Sequence, residues 1–141
     1  MKKLFLFFVL AQLNAQVNEP KHLIEDFFKA FHQKDTLMLR KYAHQDIILQ
    51  TIVKKENQTT LKTEKYSEFL KNIASIPKEL IFLEKILDYI IEIDGDLAHV
   101  WTPYEFYINQ KINHIGVNSF TLLLENNQWK IIHLIDTRNK K

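Results

Sequence analysis

The second half of the chain alternates long runs of β-branched and aromatic residues with very short polar turns. That pattern constrains the fold more than any other feature. Ala98–Ile108, Ile112–Glu125 and Trp129–Thr137 are rich in Val, Ile, Thr, Phe and Tyr, residues that suit a pleated, half-buried surface. Asp94-Gly95, Asn109-Gln110-Lys111 and Asn126-Asn127-Gln128 punctuate them. Such residues tolerate the positive φ that tight hairpin turns demand. Connections this short join only antiparallel neighbours. With a strand from about Lys85 in front, the segment reads as a meander of three successive hairpins. Ser75–Ile93 is itself ambiguous. Leu80, Leu83, Leu87 and Ile90 fit a helical face, whereas Leu87, Tyr89, Ile91 and Ile93 alternate as in a strand. Pro103 falls inside a strand pattern, cannot donate to a ladder, and belongs at an edge or a bulge. A bulge there would reset the alternation, so which of Trp101 and Tyr104 faces inward stays open.

The first half reads as helices. Pro20–Gln33 carries Leu23, Ile24, Phe27, Phe28 and Phe31 at helical spacing, with Asn18 as a candidate N-cap. A short helix follows Asp35, which can cap it, and turns Leu39, Tyr42 and Ala43 inward. Ile47–Val53 is a strand and Lys54–Lys62 a polar loop. Thr63–Ala74 is a third helix, with Tyr66, Phe69, Leu70 and Ile73 on one face. Helices first and strands afterwards imply α+β rather than alternating βαβ units. The expected fold is a cone in which three N-terminal helices pack on a curved antiparallel sheet.

Composition removes several function classes. The 141 residues suit one domain and include no Cys and two Gly. Disulfide frameworks, thiolate zinc sites and cysteine nucleophiles are excluded, and two glycines leave almost nothing from which to build a phosphate-cradling loop. The charge of +2, from 19 basic and 17 acidic residues, is too weak to imply a nucleic acid. Lys2-Lys3, the apolar run Leu4–Ala11 and Ala15 have the layout of a secretory signal peptide over residues 1–15. Residues 16–141 then form a single domain, secreted or periplasmic, with no membrane contact after cleavage. Both excess lysines leave with that leader, so the remaining domain is formally neutral.

The order of elements resembles the nuclear transport factor 2-like superfamily, which includes the SnoaL-like cyclases and ketosteroid isomerase-like enzymes. Three segments carry the resemblance: Leu23–Asp35 (LIEDFFKAFHQKD), Asp94–Leu123 and Trp129–Arg138 (WKIIHLIDTR). The nearest likeness is to the exported bacterial branch named for lumazine binding. The resemblance implies a cone with a small-molecule pocket, no cofactor, and no catalytic set carried by a matched motif.

Candidate ligand-binding residues follow from the strands. Trp101, Tyr104 and Tyr107 offer flat faces on which a cyclic or aromatic ligand stacks. His114, Asn118 and Phe120 share one face of the next strand with Gly116. His133 lies among isoleucines, where it is either a general base or a hydrogen-bonded core residue. Asp136 and Arg138, two apart, form an ion pair at the strand end. Asp88, Glu105 or Asp136 is the candidate base for an isomerase-type reaction, with Tyr104 or Tyr107 as donor. No metal-binding motif is spaced along the chain. The last strand is apolar on both faces, so a second copy packed sheet to sheet is the expected partner. An exported binding domain is the leading reading. An acid or His enzyme, and a protein-interaction module, are the alternatives.

Overall fold

The computed structural model describes residues 19–141; the expected signal peptide at 1–15 lies outside the described residues. Helices α1 (Pro20–His32) and α2 (Thr36–Tyr42) come first, followed by a hairpin of β1 (Ala43–Lys55) and β2 (Gln58–Glu64). Helix α3 (Tyr66–Ser75) leads into β3 (Phe82–Ile86), β4 (Ile90–Asp94), β5 (Leu97–Ile108), β6 (Lys111–Glu125) and β7 (Gln128–Arg138).

Local chemistry explains the helix ends. Pro20 occupies the first turn of α1, where its missing N–H costs nothing. Glu19, rather than Asn18, stands at the capping position and makes no side-chain bond there. Asp35 does cap α2, accepting from the Met38 backbone N–H at 3.1 Å. Between them Lys34 adopts φ 57°, and its ammonium donates to the carbonyls of Pro77 and Leu80.

The sheet has seven strands in the order β2-β1-β7-β6-β5-β3, with β4 also paired to β5. The expected meander is present. Its turns at Asn109-Gln110 and Asn126-Asn127 have positive φ at both residues, as a type I′ hairpin requires. The first turn is shifted by one residue: Asp94 pairs Leu97, so the loop is Gly95-Asp96, with only Gly95 at positive φ.

Four expectations are corrected. The sheet is not wholly antiparallel, because β1 runs parallel to β7, with Leu49 beside Leu134 and Thr51 beside Asp136. Lys54–Lys62 is not a loop; it turns at Glu56-Asn57 and becomes β2, paired from Lys55↔Gln58 to Leu49↔Glu64. Because β2 runs to Glu64, α3 starts at Tyr66 and only two helices precede the first strand. The ambiguous segment holds two short strands, β3 and β4, separated at Leu87–Tyr89.

That break explains Pro103. The β5–β6 register is continuous through Pro103↔Val117, and its irregularity comes later, between Phe106 and Tyr107. The Val117 N–H turns away from Pro103, to Thr137 Oγ1. Pro103 therefore points its missing donor at the other side, where β3 has ended opposite Tyr104 and β4 begins opposite Trp101. The Pro103 carbonyl accepts from the Leu87 N–H in that gap.

With no bulge at Pro103, the alternation settles the inner face. Ala98, Val100, Thr102 and Tyr104 are buried under the helices, while Trp101 is 41% exposed on the outside. Ile24, Phe27, Phe28 and Leu39 pack against Val100, Phe120, Leu122 and Ile131 at the closed end of the cone.

Candidate functional site

At the other end, helices and sheet diverge and leave a cavity. An inner chamber of about 70 Å³ and an outer one of about 360 Å³ share Phe31, Phe69, Glu64, Glu84, Asp136 and Arg138 in their walls. The phenylalanines come from α1 and α3, and most of the polar groups from the sheet.

Glu84 is the centre of the polar wall. It sits on β3 between Phe82 and Ile86, on the inward parity, and reaches across to Asn118 on β6. Asn118 Nδ2 donates to Glu84 Oε1 at 2.6 Å and to Thr102 Oγ1 at 3.2 Å. The second Glu84 oxygen takes no hydrogen bond from the described residues, and Glu84 lines both chambers of the cavity. Burial pushes the Glu84 carboxyl up to about 7; the Asn118 bond opposes this and the Asp136 charge adds to it. Strand β3 is held from behind as well, because the Glu84 N–H donates to His32 Nε2 of α1 at 2.9 Å.

Asp136 on β7 is the second acid. Oδ1 accepts from Thr51 Oγ1 at 2.6 Å, and Oδ2 accepts from Arg138 Nε at 3.0 Å and from Tyr104 OH at 3.3 Å. The Tyr104 hydroxyl also donates to the Thr137 carbonyl at 2.7 Å. Burial, then the Asp136 charge, raises the Tyr104 phenol well above its ordinary value, so it stays a donor. Gly116, opposite Tyr104, has no side chain because one would collide with the Thr137 carbonyl and the Tyr104 hydroxyl. His114 lies flat on Phe106, 4.7 Å between centroids. Burial lowers its pKa, and the Arg138 charge lowers it further.

No protein-family model matches the chain, and no curated protein matches it. Solved structures do. A protein of unknown function from Mycobacterium tuberculosis superposes with TM-score 0.69 at 12% identity, covering 86% of this chain and 70% of that one. A nuclear transport factor 2-like protein from Cytophaga hutchinsonii gives TM-score 0.65 at 18% identity over 84% and 94% of the two chains. A Streptomyces avermitilis protein provisionally named a dehydratase of that family gives 0.66 at 12% identity over 90% and 98%. The chain has the nuclear transport factor 2-like fold. At these identities the likeness concerns the backbone alone, and what a cone of this fold does depends on its lining.

Within that fold the expected site residues divide. Tyr104, His114 and Asn118 line or support the cavity. Phe120 faces the same way but is fully buried against Phe27 and Phe28, so it is core. Trp101 and His133 are on the outer face. His133 bonds Gln50 and Trp101 packs beside His99. Tyr107 lies beyond the β5 irregularity and donates to Glu105, away from the cavity. His114 faces inward, whereas His99 and His133 face outward. Among the described residues no cluster of metal-ligating side chains forms. Asp136 and Arg138 do pair, but inside the cavity wall. Glu84 was not singled out by its strand. The available signal was an acid sharing parity with Phe82 and Ile86, on what should have been an apolar face.

Proposed function

We propose that the cone binds a small cyclic or aromatic compound by its apolar body and orients it by its polar end. One observation carries the reading: the cavity has phenylalanines on one side and Glu84, Asn118, Asp136 and Arg138 converging on the other. Small-molecule sites have this mixture of apolar surface and few placed polar groups. An NMR titration with flavin-like, lumazine-like and other cyclic compounds tests it. Shifts are expected at Phe106, His114 and Asn118. Shifts confined to Trp101 and Tyr107, or none across the series, would overturn it.

A second reading, proton transfer to or from the bound compound, is favoured by Glu84. A carboxyl titrating near neutrality beside an apolar chamber is suited to general acid–base work. The Streptomyces avermitilis neighbour provisionally named a dehydratase, and one from Shewanella frigidimarina provisionally named a ketosteroid isomerase, are consistent with it. Solvent-deuterium exchange into an activated C–H of a bound cyclic ketone is the measurement. An unchanged rate in Glu84→Gln rejects this reading and leaves binding intact.

Export and pairing complete the proposal. Lys2-Lys3 and the apolar run support export, checked by N-terminal sequencing of the protein recovered outside the cytoplasm. Apolar side chains on the outer face, Ile48 and Trp101 among them, support a homodimer through the sheet.

A further inference from the structure

We infer that the compound the cone takes is an organic cation, an alkylated or ring-bearing ammonium rather than a neutral or anionic ring. This rests on the cone being a small-molecule site. Two independent features of its wall point the same way.

The first is an unbroken run of aromatic rings. Phe69 stacks on Phe31 at 6.2 Å and Phe31 meets Phe82 at 4.8 Å. Phe82 stacks on Phe106 at 5.9 Å, Phe106 on His114 at 4.7 Å, and His114 meets Tyr104 edge-on at 5.7 Å. All six line the outer chamber. They come from α3, α1, β3, β5 and β6, so the whole fold converges to build this wall. Phe82 and Tyr104 are buried, whereas Phe31, Phe69, Phe106 and His114 are half-buried and border the chamber. The face of an aromatic ring carries negative potential, so an aromatic wall attracts a cation whose substituents are apolar wherever a face is open to it. Phe82 already holds one ammonium: Lys34 Nζ, which does not line the chamber, sits 5.8 Å from its centroid.

The second feature is the charge balance. Three carboxyl groups, Glu64, Glu84 and Asp136, line the outer chamber with a single cationic side chain, Arg138. Arg138 pairs with Asp136, with Nε 3.0 Å from Oδ2, and so balances one of the three carboxylates. Glu84 is held by the Asn118 amide and Glu64 by the Asn72 amide at 2.8 Å. Among the described residues neither has a cationic partner. Above about pH 7, where Glu84 ionises, an anionic ligand would meet two carboxylates without a cationic partner, and a neutral ring would gain only stacking. A substituted ammonium gains from the rings and the carboxyls at once.

Calorimetric titration at about pH 8, where Glu84 is ionised, tests this with phenyltrimethylammonium, its neutral isostere tert-butylbenzene, and the related anion 4-tert-butylbenzoate. The cation is expected to bind about tenfold more tightly than the neutral isostere, and the anion more weakly than either. Glu84→Gln and Glu64→Gln should each weaken the cation several-fold more than they change binding of the neutral compound. Phe31→Leu should weaken the cation more than the neutral compound. Circular dichroism confirms that each variant is folded. Equal or tighter binding of the neutral or anionic compound overturns the inference while leaving the small-molecule site standing. Failure of all three to bind overturns it too, and the wider titration described above then decides separately whether the cone is a site at all.

Discussion

Glu84 is the residue at which stability and chemistry pull apart. Its carboxyl is raised to about 7 in the folded protein, so folding favours its neutral form. Below the ordinary carboxylate range both folded and unfolded chains hold the proton. Between there and neutrality the unfolded chain has released it and the folded chain has not. The unfolded state then binds fewer protons, and stability falls as pH rises through that window. Above about 7 the penalty is constant, on the order of 3 kcal/mol at most. The groups facing it are Asp136, Arg138, Tyr104, His114 and Glu64. Glu84→Gln keeps the Asn118 contact through an amide oxygen and removes the titration. Urea unfolding at pH 5 and pH 7.5 should show wild type losing more stability over the interval than Glu84→Gln, with the variant the more stable at pH 7.5. An identical pH dependence would mean that Glu84 is not held neutral. Gly116 gives a simpler case. A methyl group there would overlap the Thr137 carbonyl and the Tyr104 hydroxyl and break the bond between them. Gly116→Ala should cost about 2–4 kcal/mol in chemical unfolding. A variant as stable as wild type would show that the strands can part there.

Among the elements, the hairpins were legible because their information is local. Asn109-Gln110 and Asn126-Asn127 announce the turns, and long β-branched runs announce β5, β6 and β7. Gln110 is the weak point: it sits at φ 69°, a conformation that penalises a Cβ and suits glycine. Gln110→Gly should raise the stability of the β5–β6 hairpin by about 1 kcal/mol, read as a higher melting temperature. A lower one would mean that the Gln110 side chain contributes more than its backbone costs. Strand β2 was illegible for the opposite reason. Every residue of Gln58–Glu64 is exposed, so no apolar alternation marks it, and only pairing with β1 makes it a strand. The break between β3 and β4 was hidden likewise. It falls where Pro103 stands on the neighbouring strand, and there the Asp88 carboxylate takes the Tyr89 N–H.

At the scale of the molecule, the parallel contact between β1 and β7 decides what the cone contains. It joins residues more than 80 apart, as in the 2.6 Å bond from Thr51 to Asp136. It therefore brings Asp136, Arg138 and Glu64 to the same opening as Glu84. No spacing in the sequence encodes that meeting: His114, Asn118 and Asp136 could be nominated on their own strands, while Glu84, which reaches Asn118 from β3, could not. The same sheet fixes the outer face. Curvature turns Trp101, His99, Ser119 and His133 away from the helices. Trp101 and Ile48 stand 41% and 49% exposed, with Ile90, Ile93 and Leu97 also uncovered near the β4–β5 turn. His99 and Ser119 bond each other beneath Trp101 at 2.9 Å, so the centre of this face is ordered without a partner. Burying the apolar residues of this surface, Ile48, Trp101, Ile90, Ile93 and Leu97, against its own copy would gain hydrophobic energy, and the self-complementary way to do so is a twofold axis through the sheet. Light scattering at micromolar concentration should give twice the chain mass. Trp101→Glu would place a charge at the centre of that contact and should return the monomer mass without changing ligand shifts at His114 or Asn118. A wild-type monomer would assign the outer face to a different partner. A variant that stays dimeric would move the interface off this face.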